Sequence, residues 1–315
     1  LAGYLFRRFV TSLVVVLGIS MVAFAMLHLI SSSPGRAVLG LHASPKAVAA
    51  FNKANGYDDP IVIQYWHYLL QLLHGNLGYS YKLNQPVTSV LGENVLRSLY
   101  LSGVSLVLAI LIAIPLGIYQ AVRRNRLGDY IVTSGAFTLY SMPSFFLGLL
   151  LIQAFALSLK IFPPEASQSV SVIGVIEDPR AMFLPILNLV AIQVAGYSQY
   201  MRSSALDGLG QDYIRLARAK GLSQKAVLTG HLLRNSILPM ITLIGLSVPA
   251  LLAGNLLIET LFNYPGLGLM FYNALQNEDY PILLSYTLIA GVLTVAGNFI
   301  ADVAITIADP RVRLS

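Results

Sequence analysis

The sequence predicts an all-α polytopic membrane protein with six transmembrane helices and both termini on the cytoplasmic side, N-in and C-in. Three observations carry that prediction. Of 315 residues, 56% are hydrophobic and 11% charged, against about 25% charged in an ordinary soluble domain. Too little polar surface exists to cover even one soluble domain. The apolar residues also fall in blocks close to the ~20 residues that cross a bilayer. Finally, the cations are shared unequally between alternate connections, which sets orientation.

The first span is Phe9 to Ile30. Arg7 and Arg8 precede it, but the run is too long for the ~7–15-residue core of a signal peptide. The second span is Leu99 to Val122, with Pro115 near its end. The third runs from Tyr130 to about Leu159, kinked at Pro143, where neighbouring helices can satisfy the freed carbonyl. The fourth, Met182 to Met201, is the weakest, because Asn188, Gln193 and Gln199 interrupt it. The fifth is Ile237 to Ile258, with Pro239 and Pro249, and the sixth is Leu283 to Ile307.

With the N-terminus inside, the outer connections hold Arg36, Lys46, Lys53, Lys82, Arg97, Lys160 and Arg180. The other thirteen of the twenty Lys and Arg are inside, on a shorter total length of loop. The outer segments also hold most of the acids. That division gives one transmembrane domain over residues 1–315, an extracytoplasmic loop at 31–97 and a cytoplasmic loop at 202–236. In the outer loop, "SPKAVAAFNKANG" and "IVIQYWHYLLQLLHG" have helical apolar spacing, and Gly56 and Gly75 read as helix stops. Short amphipathic helices are expected there.

Several chemistries are excluded. The formal charge of +6 follows from basic cytoplasmic loops and does not signal nucleic acid. Without cysteine there are no disulfides, thiolate metal sites or cysteine nucleophiles. No phosphate-binding G-x-x-x-x-G-K-[ST] loop, G-x-S-x-G elbow or H-E-x-x-H zinc pattern occurs. The histidines have no metal-ligand spacing, so no metal and no bound cofactor are expected. Asp302 is the one acid well inside an apolar block, and a hydrated helix end accounts for it better than a substrate role. A self-powered secondary transporter needs ion ligands at mid-membrane, and no pair of acids is found there.

One long basic stretch breaks the pattern: "ARAKGLSQKAVLTGHLLRN", Ala217 to Asn235, which contains no acid. Just before it, Asp212 opens a short helix that ends in Arg215, Arg218 and Lys220, an order suited to the helix dipole. Gly221 can take the left-handed conformation that stops the helix, and Ser223 can cap a second one. Two short helices meeting at a glycine form a compact knuckle beneath the membrane, where a partner's surface can approach closely.

This stretch resembles the cytoplasmic loop of ABC importer permeases of the peptide/nickel class, D-Y-[IV]-R-x-A-R-A-K-G-L-S followed by H-x-L-R-N and L-P. Here those read "DYIRLARAKGLS", "HLLRN" and "LP". Three further stretches are similar: Leu5 to Arg8, "ETLFNYPGLG" (Glu259 to Gly268) with "DYP" (Asp279 to Pro281), and "DPRVR" (Asp309 to Arg313). The broader importer pattern E-A-A-x-x-x-G is only partly kept. Arg215, Leu216 and Ala217 occupy its first three places, so Ala217 and Gly221 alone fit strictly.

The resemblance implies a type I ABC importer permease fold and a coupling helix seated on an ATPase through Asp212, Arg215, Ala217, Arg218, Ala219, Lys220 and Gly221. It also implies partners: a second homologous permease subunit, two ATPase subunits carrying ATP and Mg, and an extracytoplasmic substrate-binding protein, all in a bacterial or archaeal plasma membrane. The loop wording favours a dipeptide or oligopeptide substrate. Nickel chelates, glutathione or another small solute are the alternatives.

Two more sets of residues are candidates on physical grounds. Gln153, Asn188, Gln193 and Asn298 are polar within spans, which is costly against lipid, so they are expected to face the bundle interior. Some would line a solute cavity and others bond neighbouring helices. At the outer end of the fifth span, Pro265, Gly266 and Gly268 predict a tight bend. "LGLMFYNALQ" then predicts a short helix with Leu267, Phe271, Ala274 and Leu275 near one face. It reads either as an outer gate or as a structural turn.

Overall fold

The computed structural model describes residues 2–30, 34–40, 42–54, 56–169, 171–253 and 255–308. The "DPRVR" stretch and the side chain of Asp302 lie outside the described residues. Helix α1 (Ala2–Ile30) is followed in the outer connection by α2 (Pro34–Leu39), α3 (Pro45–Ala54) and α4 (Ile61–Leu73). Gly56 and Gly75 stop α3 and α4 with φ of 70° and 74°, the left-handed region open to glycine. A small antiparallel hairpin, β1 (Tyr79–Ser80) with β2 (Gln85–Pro86), then leads directly into α5 (Val87–Val122).

The hairpin was not expected, and α5 begins twelve residues ahead of the expected start at Leu99. Val87, Val90 and Leu91 are buried there at helical spacing, while Glu93 and Asn94 give the segment a polar, loop-like composition.

Helix α6 (Leu127–Ser141) and α7 (Ser144–Leu151), which continues as a π-helical segment over Ile152–Ser158, replace the expected third span. The two meet at 107°, so Pro143 breaks the span where the sequence predicted a kink. The cause is local: Met142 is held extended at φ −84°, ψ 132°, because a residue before proline is pushed out of the helical region. Helix α8 (Val172–Ile176) precedes α9 (Pro179–Leu209). Asp178 caps α9 by accepting from the Ala181 N–H at 3.2 Å. Despite its polar residues, α9 is one continuous helix.

After α9 come α10 (Asp212–Ala219), α11 (Gln224–Ala226), a π-helical turn over Val227–Leu232, and α12 (Leu233–Ser236). Helix α13 (Leu238–Ala253) starts at a 49° bend. Pro239 cannot continue the preceding ladder, because it lacks an N–H and its ring meets the carbonyl four residues back. The expected fifth span is thus divided, since Asn255 caps a separate α14 (Leu256–Leu261). Helices α15 (Leu267–Gln276) and α16 (Tyr280–Ala308) complete the described residues. Among these, α1, α5, α9 and α16 are long and apolar enough to cross a membrane, and the spans number six where each of the two bent pairs is counted as one.

Two compact units divide the chain. Residues 1–99, 168–172 and 249–299 form one, and its core includes Val87, Val90, Leu91, Leu267, Met270, Ala274 and Ile282. Residues 100–167, 173–248 and 300–315 form the other. Its core at the base of α10 joins Ala121, Ala205, Ile214, Ala217, Val227 and Leu232.

Candidate functional site

Helix α10 is amphipathic over only eight residues. Ile214 and Ala217, three apart, are buried against α5, α9 and the π-helical turn. Asp212, Arg215, Arg218, Ala219, Lys220 and Gly221 are all exposed. Six of the seven residues predicted for coupling therefore share the outward side, and Ala217, 2% exposed, does not. Its methyl group seats the helix from within. Gly221 stops α10 at φ 77°, and a Cβ added there would meet no atom within 4 Å. The Ser223 hydroxyl accepts from the Ala226 N–H at 3.4 Å. Arg215 pairs with Asp212 at 3.3 Å across one exposed turn, a contact of little energetic weight.

The base of this loop is fastened on three sides. The Ser204 hydroxyl donates to the Ser236 carbonyl at 2.8 Å and the Ser236 hydroxyl to the Ser204 carbonyl at 3.2 Å. That reciprocal pair closes the segment between α9 and α12. Gly208 allows the closure, since a Cβ there would lie 2.8 Å from Leu232 and 2.9 Å from the Ser236 hydroxyl. Arg202 holds Asp129 of α6 in a two-pronged ion pair, Nε to Oδ1 at 2.8 Å and Nη2 to Oδ2 at 2.9 Å. The Asn125 N–H and the Thr133 hydroxyl also donate to that carboxylate, so a buried charge is paired and saturated. No local signal joins the members of this pair, which are 73 positions apart.

At the outer bend, Glu259 is fully buried. Its Oε1 accepts from the Ser98 hydroxyl at 2.7 Å and the Asn255 N–H at 3.1 Å. Its Oε2 accepts from the Gly268 N–H at 2.6 Å and the Leu269 N–H at 3.4 Å. Ser98 in turn accepts from the Leu267 N–H at 2.8 Å. One carboxylate and one hydroxyl thus cap the first three N–H groups of α15, which have no partner within the helix. Burial raises the carboxyl's pKa, while these donors pull the other way.

The bend is pinned further by the Arg97 guanidinium, which donates to the Pro265 carbonyl at 2.7 Å, and by the Tyr264 hydroxyl, which donates to the Arg97 carbonyl at 2.9 Å. Gly266 and Gly268 permit this packing. A Cβ on Gly266 would come within 2.5 Å of Glu259 and Ser98, and one on Gly268 within 2.6 Å of the Leu256 Cα. Leu267, Met270 and Ala274 form the buried face of α15. Phe271 is partly buried against Tyr286, with ring centroids 4.6 Å apart. Leu275, expected on that face, is exposed, because position 275 rotates past the stripe that 267, 270 and 274 define. "DYP" also has a role here: Asp279 is buried and accepts from the Ser80 hydroxyl, fixing the hairpin.

The four polar span residues differ in their surroundings. Asn188 is buried and its amide donates to the Ser144 carbonyl at 3.2 Å, which bonds it to the start of α7, while its Oδ1 has no hydrogen-bond partner. Gln193 is half-buried, with Oε1 unbonded. Gln153 and Asn298 are exposed on the chain, and Asn298 belongs to a different unit from the other three.

Four to six candidate membrane spans and an exposed basic knuckle on a braced base define a multi-pass membrane subunit built to receive a partner. The chain belongs to the binding-protein-dependent transport system inner membrane component family, whose model matches residues 113–314; the companion N-terminal model matches residues 1–102. It therefore has the type I ABC importer permease fold and is a permease subunit of such an importer, which works with ATPase and substrate-binding partners.

It is 34% identical over 315 residues to the oligopeptide transport system permease protein AppB of Bacillus subtilis, with 99% of this chain and 100% of that protein covered. It is 32% identical to the glutathione transport system permease protein GsiC of Salmonella choleraesuis, with 99% of each covered. It is 33% identical to the dipeptide transport system permease protein DppB of Escherichia coli, with 98% of each covered.

Proposed function

We propose that this chain forms one half of a peptide translocation path in a bacterial or archaeal plasma membrane, beside a second, homologous permease subunit. The observation that carries the reading is α10, whose cationic side is free while its apolar side is locked to α5 and α9. Two ATPase subunits, which hold ATP and Mg, dock below the permease pair, and the cytoplasmic loop 202–236 of this chain seats in a cleft of one of them. Asp212, Arg215, Arg218, Ala219, Lys220 and Gly221 make the contact, and Ala217 holds the helix in place. Movement of the ATPase then passes through a small, tightly packed core to the membrane helices. An external binding protein delivers substrate to the outer side, where residues 31–97 lie. The names of the relatives support peptides as cargo, with glutathione or a nickel chelate as the alternative. Gln153, Gln193 and Asn298 are the path-lining candidates, and α15 with Pro265, Gly266, Gly268 and Phe271 is the outer gate.

The test is uptake by the complete transporter in vesicles. ATP-dependent accumulation of a labelled di- or oligopeptide, outcompeted poorly by glutathione, is the expected result. Uptake driven by an ion gradient without ATP would overturn it. Because no native cysteine is present, single cysteines at Gln193 and Phe271 report the two transmembrane roles separately. Peptide should protect the first from thiol reagents. The second should label from outside at different rates in the resting and ATP-bound states, and equal rates remove the gate.

A further inference from the structure

The second unit carries a groove of about 630 Å³ beside the coupling knuckle. Ile114 and Ile118 of α5 line one wall, and Leu228 and Leu233 line the other. The trough is almost wholly apolar, and two cationic residues, Arg123 and Lys225, are among those that line it. Arg123 follows the last turn of α5, with its guanidinium 5.1 Å from the centroid of the Tyr119 ring. That contact holds the cation near the trough. Among the described residues, neither Arg123 nor Lys225 forms an ion pair. The charge bias of the sequence puts this end of α5 on the cytoplasmic side of the membrane.

An apolar trough between the cytoplasmic end of α5 and loop 202–236, lined by two cations that form no ion pair among the described residues, fits an amphiphile with a negative head. We propose that the groove holds an anionic phospholipid of the cytoplasmic leaflet, with an acyl chain along Ile114, Ile118, Leu228 and Leu233 and the phosphate between Arg123 and Lys225. A zwitterionic lipid supplies the tail but no net charge for the two cations. A protein helix would have to bury both cations, which is costly unless it brings acids of its own. Leu228 also packs on the core that seats α10, so the bound lipid braces the knuckle from its membrane side. Coupling then depends on the composition of the inner leaflet. This rests on the inside placement of loop 202–236, but the primary readout is bound lipid, so its failure is distinct from a failure of the importer reading.

The complete transporter, purified in mild detergent, is examined by native mass spectrometry after exposure to phosphatidylglycerol and phosphatidylcholine. Phosphatidylglycerol should be retained preferentially. The double variant Arg123→Gln, Lys225→Gln should reduce that retention by roughly thirtyfold. A second variant, Ile118→Trp, keeps both cations but fills the trough, and it too should expel the lipid. In nanodiscs, phosphatidylglycerol should raise substrate-stimulated ATPase of the unaltered complex and have little effect on either variant. Equal retention of the two lipids, or unchanged retention in both variants, overturns the proposal. So does an efficient disulfide between Thr229→Cys and a cysteine on the partner permease, which would place a protein helix in the groove.

Discussion

Two short helices, α10 and α15, each follow or precede a critical glycine, yet the glycines do opposite work. At Gly221 the requirement is conformational: φ is 77° and the surrounding space is empty. At Gly266 and Gly268 the requirement is steric, because a Cβ would strike Glu259, Ser98 and the backbone at Leu256. The first belongs to a surface kept open, with cations and no burial. The second belongs to a bend packed shut around a buried carboxylate. The same residue type therefore marks a docking surface in one place and an internal joint in the other.

Disrupting the joint, by filling it or by removing its carboxylate, should have the largest effect. Gly268→Ala puts a methyl group 2.6 Å from the Leu256 Cα, and backbone cannot move aside as a side chain can. Overpacking of this kind costs about 1–3 kcal/mol or more. The expected outcome is a lowered unfolding temperature and poor recovery of folded protein from the membrane. If Gly268→Ala unfolds like the unaltered chain, the joint is looser than its distances imply. Glu259→Ala empties the same joint and strips the partner from three backbone N–H groups and one hydroxyl. Buried donors left unpaired cost about 1–3 kcal/mol each, and partial hydration of the vacated space offsets part of that sum. Glu259→Gln should be milder, because one oxygen still accepts while its NH₂ group faces donors. Thermal unfolding of the three forms should rank Glu, Gln, Ala.

The asymmetry between the two helices also explains what could be read from the sequence. Asp212, Gly221 and Ser223 act on neighbours within a few residues, so the order of the letters discloses the knuckle. Ser98 and Glu259 are 161 positions apart, and no local signal joins them. The expected bend at Pro265 was legible, but the carboxylate that organises it was not. The twelve-residue head start of α5 escaped for a related reason. Its Val87, Val90 and Leu91 face a core built from α15 and α16, and the polar residues beside them look like loop until that core exists. Pro143 was visible, whereas the 107° turn required Met142 to be extended, which a span-by-span hydropathy reading does not weigh. Ala217 looked like a contact residue because it lies within the motif, and only burial separates seating from contact.

The knuckle can be probed without breaking the fold. Gly221→Val places a β-branched residue at φ 77°, which costs about 1–2 kcal/mol even in empty space. The relief is a twist that moves Lys220 and Leu222, on the docking side. Insertion should be unchanged and permease stability should fall by no more than that strain, while substrate-stimulated ATPase in the reconstituted complex falls several-fold because the docking side is twisted. Gly221→Asn should retain most of the stimulation, because asparagine tolerates the left-handed region. Equal loss in Val and Asn would mean that close approach, and not conformation, governs Gly221, and the contrast with Gly268 would weaken.

The smallest effect is expected from the charges themselves. Arg215 already has Asp212 at 3.3 Å, whereas among the described residues Arg218 and Lys220 form no ion pair. If the exposed face meets an acidic rim on the ATPase, reversing Lys220 should weaken assembly more than reversing Arg215. Both effects should fade with salt, since the screening length falls from ~10 Å at 0.1 M to ~3 Å at 1 M. Rim charges act mainly on the rate of association, so the measurement is the on-rate of purified ATPase to the permease in nanodiscs at two salt concentrations. Lys220→Glu should slow association several-fold at low salt and little at high salt, with Arg215→Glu in between. Identical rates for all three chains at low salt would reduce the cations to markers of membrane sidedness, and α10 would then have to dock through its shape and through Leu216 and Leu222 alone.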